Sequence, residues 1–194
     1  MSAPLAVVVL AGGEGRRMGG DKPLRRLGGV RLIDRAVALA CAWSPLVAVS
    51  VRDPAQAGGG AGAPLILDRP GLEGPLAGLA AGLAFAARSG AGRLLTLPCD
   101  MPSLPLDLAE RLGQALAAPD RAALPACGER VHPVCGLWDC EAAGALAGYA
   151  ESGRSSVYGF ARHVGARIVD WPPDSAAAFA NVNSPEDLAA LAAA

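Results

Sequence analysis

Three groups of residues have the types and spacing needed to handle phosphate. The first is the run Gly12, Gly13, Glu14, Gly15, Arg16, Arg17, Met18, Gly19, Gly20, Asp21, Lys22. Its glycines let backbone N–H groups approach an anion closely, and its cations neutralise the charge. The second and third are the carboxylates Asp68 and Asp100, each at the end of a short apolar run. Mg²⁺ is commonly held by one or two carboxylates together with phosphate oxygens of a substrate. A basic glycine loop with two carboxylates is therefore the inventory for a nucleoside triphosphate. Lys22, Arg16 and Arg17 are placed to stabilise charge on a transferring phosphoryl group or a leaving pyrophosphate. Asp100 is the better metal ligand, because Pro98 and Pro102 stiffen its turn. Taken singly, either aspartate reads more readily as a turn former, so it is their combination with the loop that argues for chemistry.

The loop matches neither standard phosphate motif. Lys22 follows Asp21 and precedes Pro23, so G-x-x-x-x-G-K-[ST] is absent, and the glycine order does not give G-x-G-x-x-G. Two further stretches are unusual. Glu73 to Leu79 (EGPLAGL) places Gly74 and Pro75 before a helix and Gly78 inside it; a glycine there costs about 1 kcal/mol relative to alanine. Close approach of a ligand or simple packing explains it equally. Asn181 and Asn183 fall on one side of an extended segment before the final helix, either reaching into a pocket or satisfying turn hydrogen bonds. His132 pairs with no recognisable nucleophile, which favours a structural or substrate-contact role over that of a general base.

The elements that must position these residues alternate. Leu5–Leu10 is an apolar, Val-rich run of the kind found in buried parallel strands. Strands are expected at 46–51, 64–67 and 93–97, with helices at 31–41, 76–88 and 105–117. The segment 57–62 reads as a flexible loop. Strands are expected at 122–125, 131–138, 166–170 and 179–182, and helices at 141–150 and 155–163. A final helix is capped by Ser184, with Pro185 in its first turn. This pattern predicts a single-domain α/β three-layer sandwich over 1–194 with a mainly parallel central sheet. In such sheets ligands bind at the carboxyl ends of the strands, which would bring the loop, Asp68 and Asp100 to one rim.

Composition narrows the class. The chain has 194 residues and a formal net charge of −1, which gives no case for nucleic acid or an anionic membrane as partner. No apolar run is long enough to span a bilayer, and the N-terminus lacks the basic region of a signal peptide. Five cysteines with no C-x-x-C read as reduced thiols of a cytoplasmic protein. A zinc site can be drawn from Cys127, His132, Cys135 and Cys140, but the spacing fits no familiar ligand pattern.

The run LAGGEGRRMGGDK resembles the signature loop of nucleotidyltransferases of the Rossmann-like nucleotide-diphospho-sugar transferase fold. The match is closest to the molybdenum cofactor guanylyltransferases. It extends through Asp68, GPLAG at Gly74–Gly78, PCDMP at Pro98–Pro102, HP at His132–Pro133, GRSSV at Gly153–Val157 and NVNSPEDL from Asn181. The resemblance implies transfer of GMP from GTP to the phosphate of molybdenum-molybdopterin, with release of pyrophosphate. It implies that Leu10, Ala11, Gly12 and Gly13 contact the guanine nucleotide and that Lys22, with Arg17, meets its phosphates. It puts Asp68, Gly74 and Gly78 on the nucleotide side, Asp100 on Mg²⁺, and Asn181 and Asn183 on the pterin side. Cofactor-delivering and acceptor molybdoenzymes are the implied protein partners.

Two positions depart from the family pattern. Ser50 stands where relatives often carry an asparagine that contacts the nucleotide, and the resemblance implies that Ser50 takes that place. Ser155 and Ser156 stand where a second basic residue is often seen, leaving Arg154 as the cation there. The rivals are a cytidylyltransferase acting on the same cofactor, a sugar-1-phosphate nucleotidyltransferase, and a nucleotide-binding adaptor without catalysis. Gly13 favours guanine, because the cytidylyl-transferring relatives resemble LAAG more often. The presence of Lys22 and Asp100 counts against the adaptor.

Overall fold

The structure, a computed structural model, describes residues 3–13 and 22–193. Strand β1 (Leu5–Leu10) precedes a 3-10 turn at Lys22–Leu24, the short strands β2 (Arg26–Leu27) and β3 (Val30–Arg31), and helix α1 (Leu32–Trp43). Next come β4 (Leu46–Val51), β5 (Leu65–Leu67), α2 (Gly74–Arg88), β6 (Arg93–Pro98) and α3 (Leu108–Ala115). The remainder is β7 (Ala122–Cys127), β8 (Arg130–Val131), β9 (Leu137–Asp139), α4 (Ala143–Glu151), α5 (Val157–Val164), β10 (Ala166–Trp171) and α6 (Pro185–Ala193).

Among the described residues, eight strands form one sheet in the order β10-β7-β9-β6-β1-β4-β5, with β8 paired to β7. β1 lies parallel between β4 and β6, with Val8 opposite Ala48 on one side and Thr96 on the other. β5 is parallel to β4 and β10 is parallel to β7, while β9 runs against both β6 and β7. From β1 the chain builds outward through β4 and β5, then returns to the opposite side of β1 as β6. That reversal opens a crevice at the carboxyl ends of β1 and β6.

Both faces of the sheet are covered, which is why β1 is apolar throughout rather than alternating. Val7 and Val9 pack toward Ile33 and Ala36 of α1 and share their core with Leu108 and Leu112 of α3. Ala6 and Val8 face the other way, toward Leu76, Leu79 and Leu83 of α2 and the core completed by Phe160 of α5. The glycines of α2 let it seat closely: a Cβ on Gly82 would lie 3.0 Å from Leu94 Cδ2, and one on Gly78 would lie 2.8 Å from Leu10 Cδ2. Strand packing thus accounts for Gly78 inside a helix.

The structure departs from the expected elements in several places. The helix expected at 105–117 is confined to Leu108–Ala115. The strand expected at 131–138 is broken into β8, a 3-10 turn at Pro133–Cys135 and β9, because Pro133 has no N–H to continue a ladder. The strand expected at 179–182 does not form: Phe179 ends a 3-10 turn that begins at Pro173, and residues 180–183 join no sheet; Val182 N donates instead to Asp100 O at 2.8 Å. The loop 57–62 is tied down, since Arg31 donates to the carbonyls of Ala57, Gly58 and Gly60. β2 and β3 form a hairpin through Gly28 and Gly29, both at positive φ, as a two-residue turn requires. No helix among the described residues is long and apolar enough to cross a membrane.

Candidate active site

The crevice contains a cavity of about 890 Å³. Leu10, Ala11, Gly12 and Gly13 enter it from the end of β1, Asp68 from the end of β5, and Asp100 from just beyond β6. Gly74 and Gly78 line it from the first turns of α2, Lys22 from its 3-10 turn, and Asn181 and Asn183 from the extended segment before α6. Arg16 and Arg17 lie outside the described residues. Ser50 is fully buried and does not line the cavity.

Lys22 joins the two sides of the site. Its Nζ donates to Asp100 Oδ2 at 2.5 Å and to Asn183 Oδ1 at 2.8 Å. Asn181 Nδ2 donates to the same Asp100 oxygen at 3.3 Å. The lysine and aspartate side chains are only 14% and 16% exposed, so their pairing is shielded from bulk water. Asp100 Oδ1 and Asn181 Oδ1 are buried and find no hydrogen-bond partner among the described residues. Two orphaned hard oxygens at one rim are expensive unless something completes them. A hard divalent cation suits that donor set.

The asparagines are held by the architecture around α6. Ser184 Oγ accepts from Asp187 N at 3.2 Å, while an Asp187 carboxylate oxygen accepts from Ser184 N at 2.9 Å and Asn183 N at 2.7 Å. This is a reciprocal capping box. The backbone N–H of Asn183, then the N–H and side chain of Ser184, helped by the Lys22 charge, hold the Asp187 carboxyl below its ordinary pKa. Val182 is fully buried in a small cluster with Leu27 and Leu32, against which Leu188 and Leu191 of α6 pack. The same few residues therefore seat α6 and point Asn181 and Asn183 at Asp100 and Lys22.

Asp68 is built in differently. Its Oδ1 accepts from Ser50 Oγ at 2.5 Å, and a Cβ on Gly12 would overlap its Oδ2. Sequence reasoning passed over Arg52 and Glu73, which also line the cavity. Arg52 immediately follows β4, so the strand-end rule applied to that strand would have found it. Glu73 precedes α2 and was hidden among turn residues.

His132 is not at this cavity. It is 5% exposed, stacks on Phe179 with ring centroids 4.8 Å apart, and has its pKa lowered first by burial and then by Arg130. That is a structural placement. The drawn zinc site is not assembled: among the described residues no group of three or more His, Cys, Asp or Glu is placed to hold a metal. Cys127 Sγ donates to Pro172 O, and Cys135 Sγ to Met101 Sδ. Cys99 lines the cavity, but burial, reinforced by the Asp100 charge, pushes its thiol up to about 12. Arg154 lies in a neighbouring groove between α2 and α4, with its guanidinium 4.6 Å from the Tyr149 ring centroid.

A parallel sheet with its reversal beside β1, and a glycine loop, lysine and carboxylate gathered at that point, define a nucleotide-handling α/β protein. The chain belongs to the MobA-like NTP transferase family, whose domain model matches residues 7–166. It is 44% identical over 184 residues to the molybdenum cofactor guanylyltransferase of Cereibacter sphaeroides, covering 94% of this chain and 92% of that one. It is 42% identical over 193 residues to the protein of the same name from Acidiphilium cryptum, covering 97% and 94%. Among solved structures, molybdopterin-guanine dinucleotide biosynthesis protein A of Archaeoglobus fulgidus superposes with a TM-score of 0.76 at 25% identity, covering 97% of each chain. CMP:2-keto-3-deoxy-manno-octonic acid synthetase complexed with CTP gives 0.72 at 16% identity over 98% of each, a likeness of fold alone. The protein is a nucleotidyltransferase.

Proposed function

We propose that this single domain transfers GMP from GTP to the phosphate of molybdenum-molybdopterin, forming the guanine dinucleotide cofactor and pyrophosphate in the cytoplasm. The observation that carries the reading is the Lys22 bridge between Asp100 and Asn183. It joins the loop side of the crevice, where the nucleotide belongs, to the α6 side, where the second substrate enters. The names of the relatives support guanine and this acceptor.

The acceptor phosphate attacks the α-phosphorus in line with the leaving pyrophosphate; one P–O bond forms as another breaks. The attacking oxygen is already ionised, so no side chain need remove a proton. This agrees with a cavity that no histidine lines among the described residues. Gly12 and Gly13 let the backbone approach the nucleotide, and Lys22 turns from Asp100 to the phosphates as they arrive. Arg17 adds charge from the loop. Asp100 Oδ1 would hold Mg²⁺, which when bound would neutralise charge on the phosphate oxygens. Asn181 and Asn183 orient the pterin substrate, and enzymes that supply or receive the cofactor would dock near this rim.

The test is an incubation with molybdenum-molybdopterin, Mg²⁺ and GTP, CTP or ATP, assayed for pyrophosphate. GTP should support release and the others should not. A preference for CTP would move the protein to the cytidylyl-transferring reading, and no release with any nucleotide would leave the adaptor.

A further inference from the structure

Ser50 is the penultimate residue of β4, opposite Leu10 of β1 and Ile66 of β5. It is fully buried, yet its hydroxyl is not spent on the backbone: it donates to Asp68 Oδ1 at 2.5 Å. Asp68 N donates to Val51 O at 2.9 Å, which fixes the aspartate backbone against the same strand. Glycines close two more sides. A Cβ on Gly12 would overlap Asp68 Oδ2, and one on Gly78 would lie 3.4 Å from Asp68 Oδ1 and 3.5 Å from Ser50 Oγ. The terminal torsion of an aspartate is broad when nothing restrains it. Here a hydroxyl anchors one oxygen and two glycine backbones approach the carboxylate, and Asp68 lines the cavity whereas Ser50 does not.

We propose that Ser50 is a positioning residue of the nucleotide subsite: its hydroxyl fixes the Asp68 carboxylate so that the cavity-facing oxygen is presented as an acceptor to the donor groups of a nucleoside triphosphate. The inference rests on the reading of this cavity as a nucleoside triphosphate site. Ser50 makes no contact with the nucleotide. Its contribution is transmitted wholly through Asp68.

A double-mutant cycle on the full chain separates this from a general structural role. Equilibrium binding of the nucleoside triphosphate that the wild type binds most tightly is measured for Ser50→Ala, Asp68→Ala and the pair, with circular dichroism confirming the fold of each. Ser50→Ala should weaken binding about tenfold, the scale of a lost hydrogen bond to a charged group. Asp68→Ala should weaken it at least as much, and the double variant no further than Asp68→Ala alone. Ser50→Cys keeps the volume with a weaker donor and should fall between wild type and Ser50→Ala, which also serves if the alanine variant does not fold. In turnover, the loss should appear in KM, with kcat held within about twofold. Additive losses, unchanged binding in Ser50→Ala, or no nucleotide bound by the wild type would overturn the proposal. Wild-type preference for CTP would instead defeat the guanylyl reading, and the cycle run with CTP would still decide the role of Ser50.

Discussion

At the scale of single residues, the site depends on a buried cation holding a carboxylate that is incompletely satisfied. Asp100 spends one oxygen on Lys22 and Asn181, and the other finds no partner among the described residues. Asp100→Ala should lower turnover by about a hundredfold or more, the scale seen when one group stabilising transition-state charge is removed. Wild-type turnover in a folded Asp100→Ala protein would remove that residue from the chemistry. The thiols make a second prediction. Cys41 is exposed, whereas Cys99 and Cys135 are buried with their pKa values raised by desolvation. The thiolate is the reactive form, so Cys41 should label rapidly at mildly alkaline pH, while Cys99 and Cys135 should label only after denaturation. His132 sets an acid limit. Its folded pKa lies below the ordinary value of about 6.5, so the unfolded chain binds the extra proton first. The stability tied to keeping it neutral is intact above about pH 6.5 and declines as pH falls from there through the folded value. Melting curves between pH 7.5 and 5.5 should show that decline, and His132→Phe, which keeps the stack on Phe179, should flatten it.

At the scale of elements, α6 carries more function than its position at the end of the chain implies. Its capping box fixes Asn183, and its apolar side seats Val182. Ser184→Ala should cost about 1 kcal/mol of stability, typical of a lost N-cap, read from chemical denaturation. It should also raise the KM for the pterin substrate. A stability loss with unchanged KM would mean that the asparagines do not depend on the cap. This element was legible in advance: Ser184, Pro185 and the acids that follow announce it. The strand ends were legible too, and β1 and β4 fall on Leu5–Leu10 and Leu46–Val51 as their apolar runs imply. The His132–Pro133 break was harder to read, because apolar residues on both sides of a proline imitate one strand. The segment 179–182 imitates a strand in its apolar residues, but Phe179 closes a 3-10 turn and Val182 N donates to Asp100 O instead of to a neighbouring strand. Ser50 could not be assigned from sequence, since its partner Asp68 is 18 residues away and only the pairing of β4 with β5 brings them together.

At the scale of the whole molecule, the order of the strands places the chemistry. The chain reverses beside β1, and at such a reversal the carboxyl ends of β1 and β6 leave room for a ligand. Lys22 and the α6 segment close that gap from the far side. The central claim is that GTP gives up its α-phosphate there. It is tested most directly by supplying GTP labelled in the α- or the γ-phosphate together with molybdenum-molybdopterin. The account predicts α-label in the pterin dinucleotide and γ-label in pyrophosphate. Product free of α-label, or γ-label appearing in the pterin product, would contradict it.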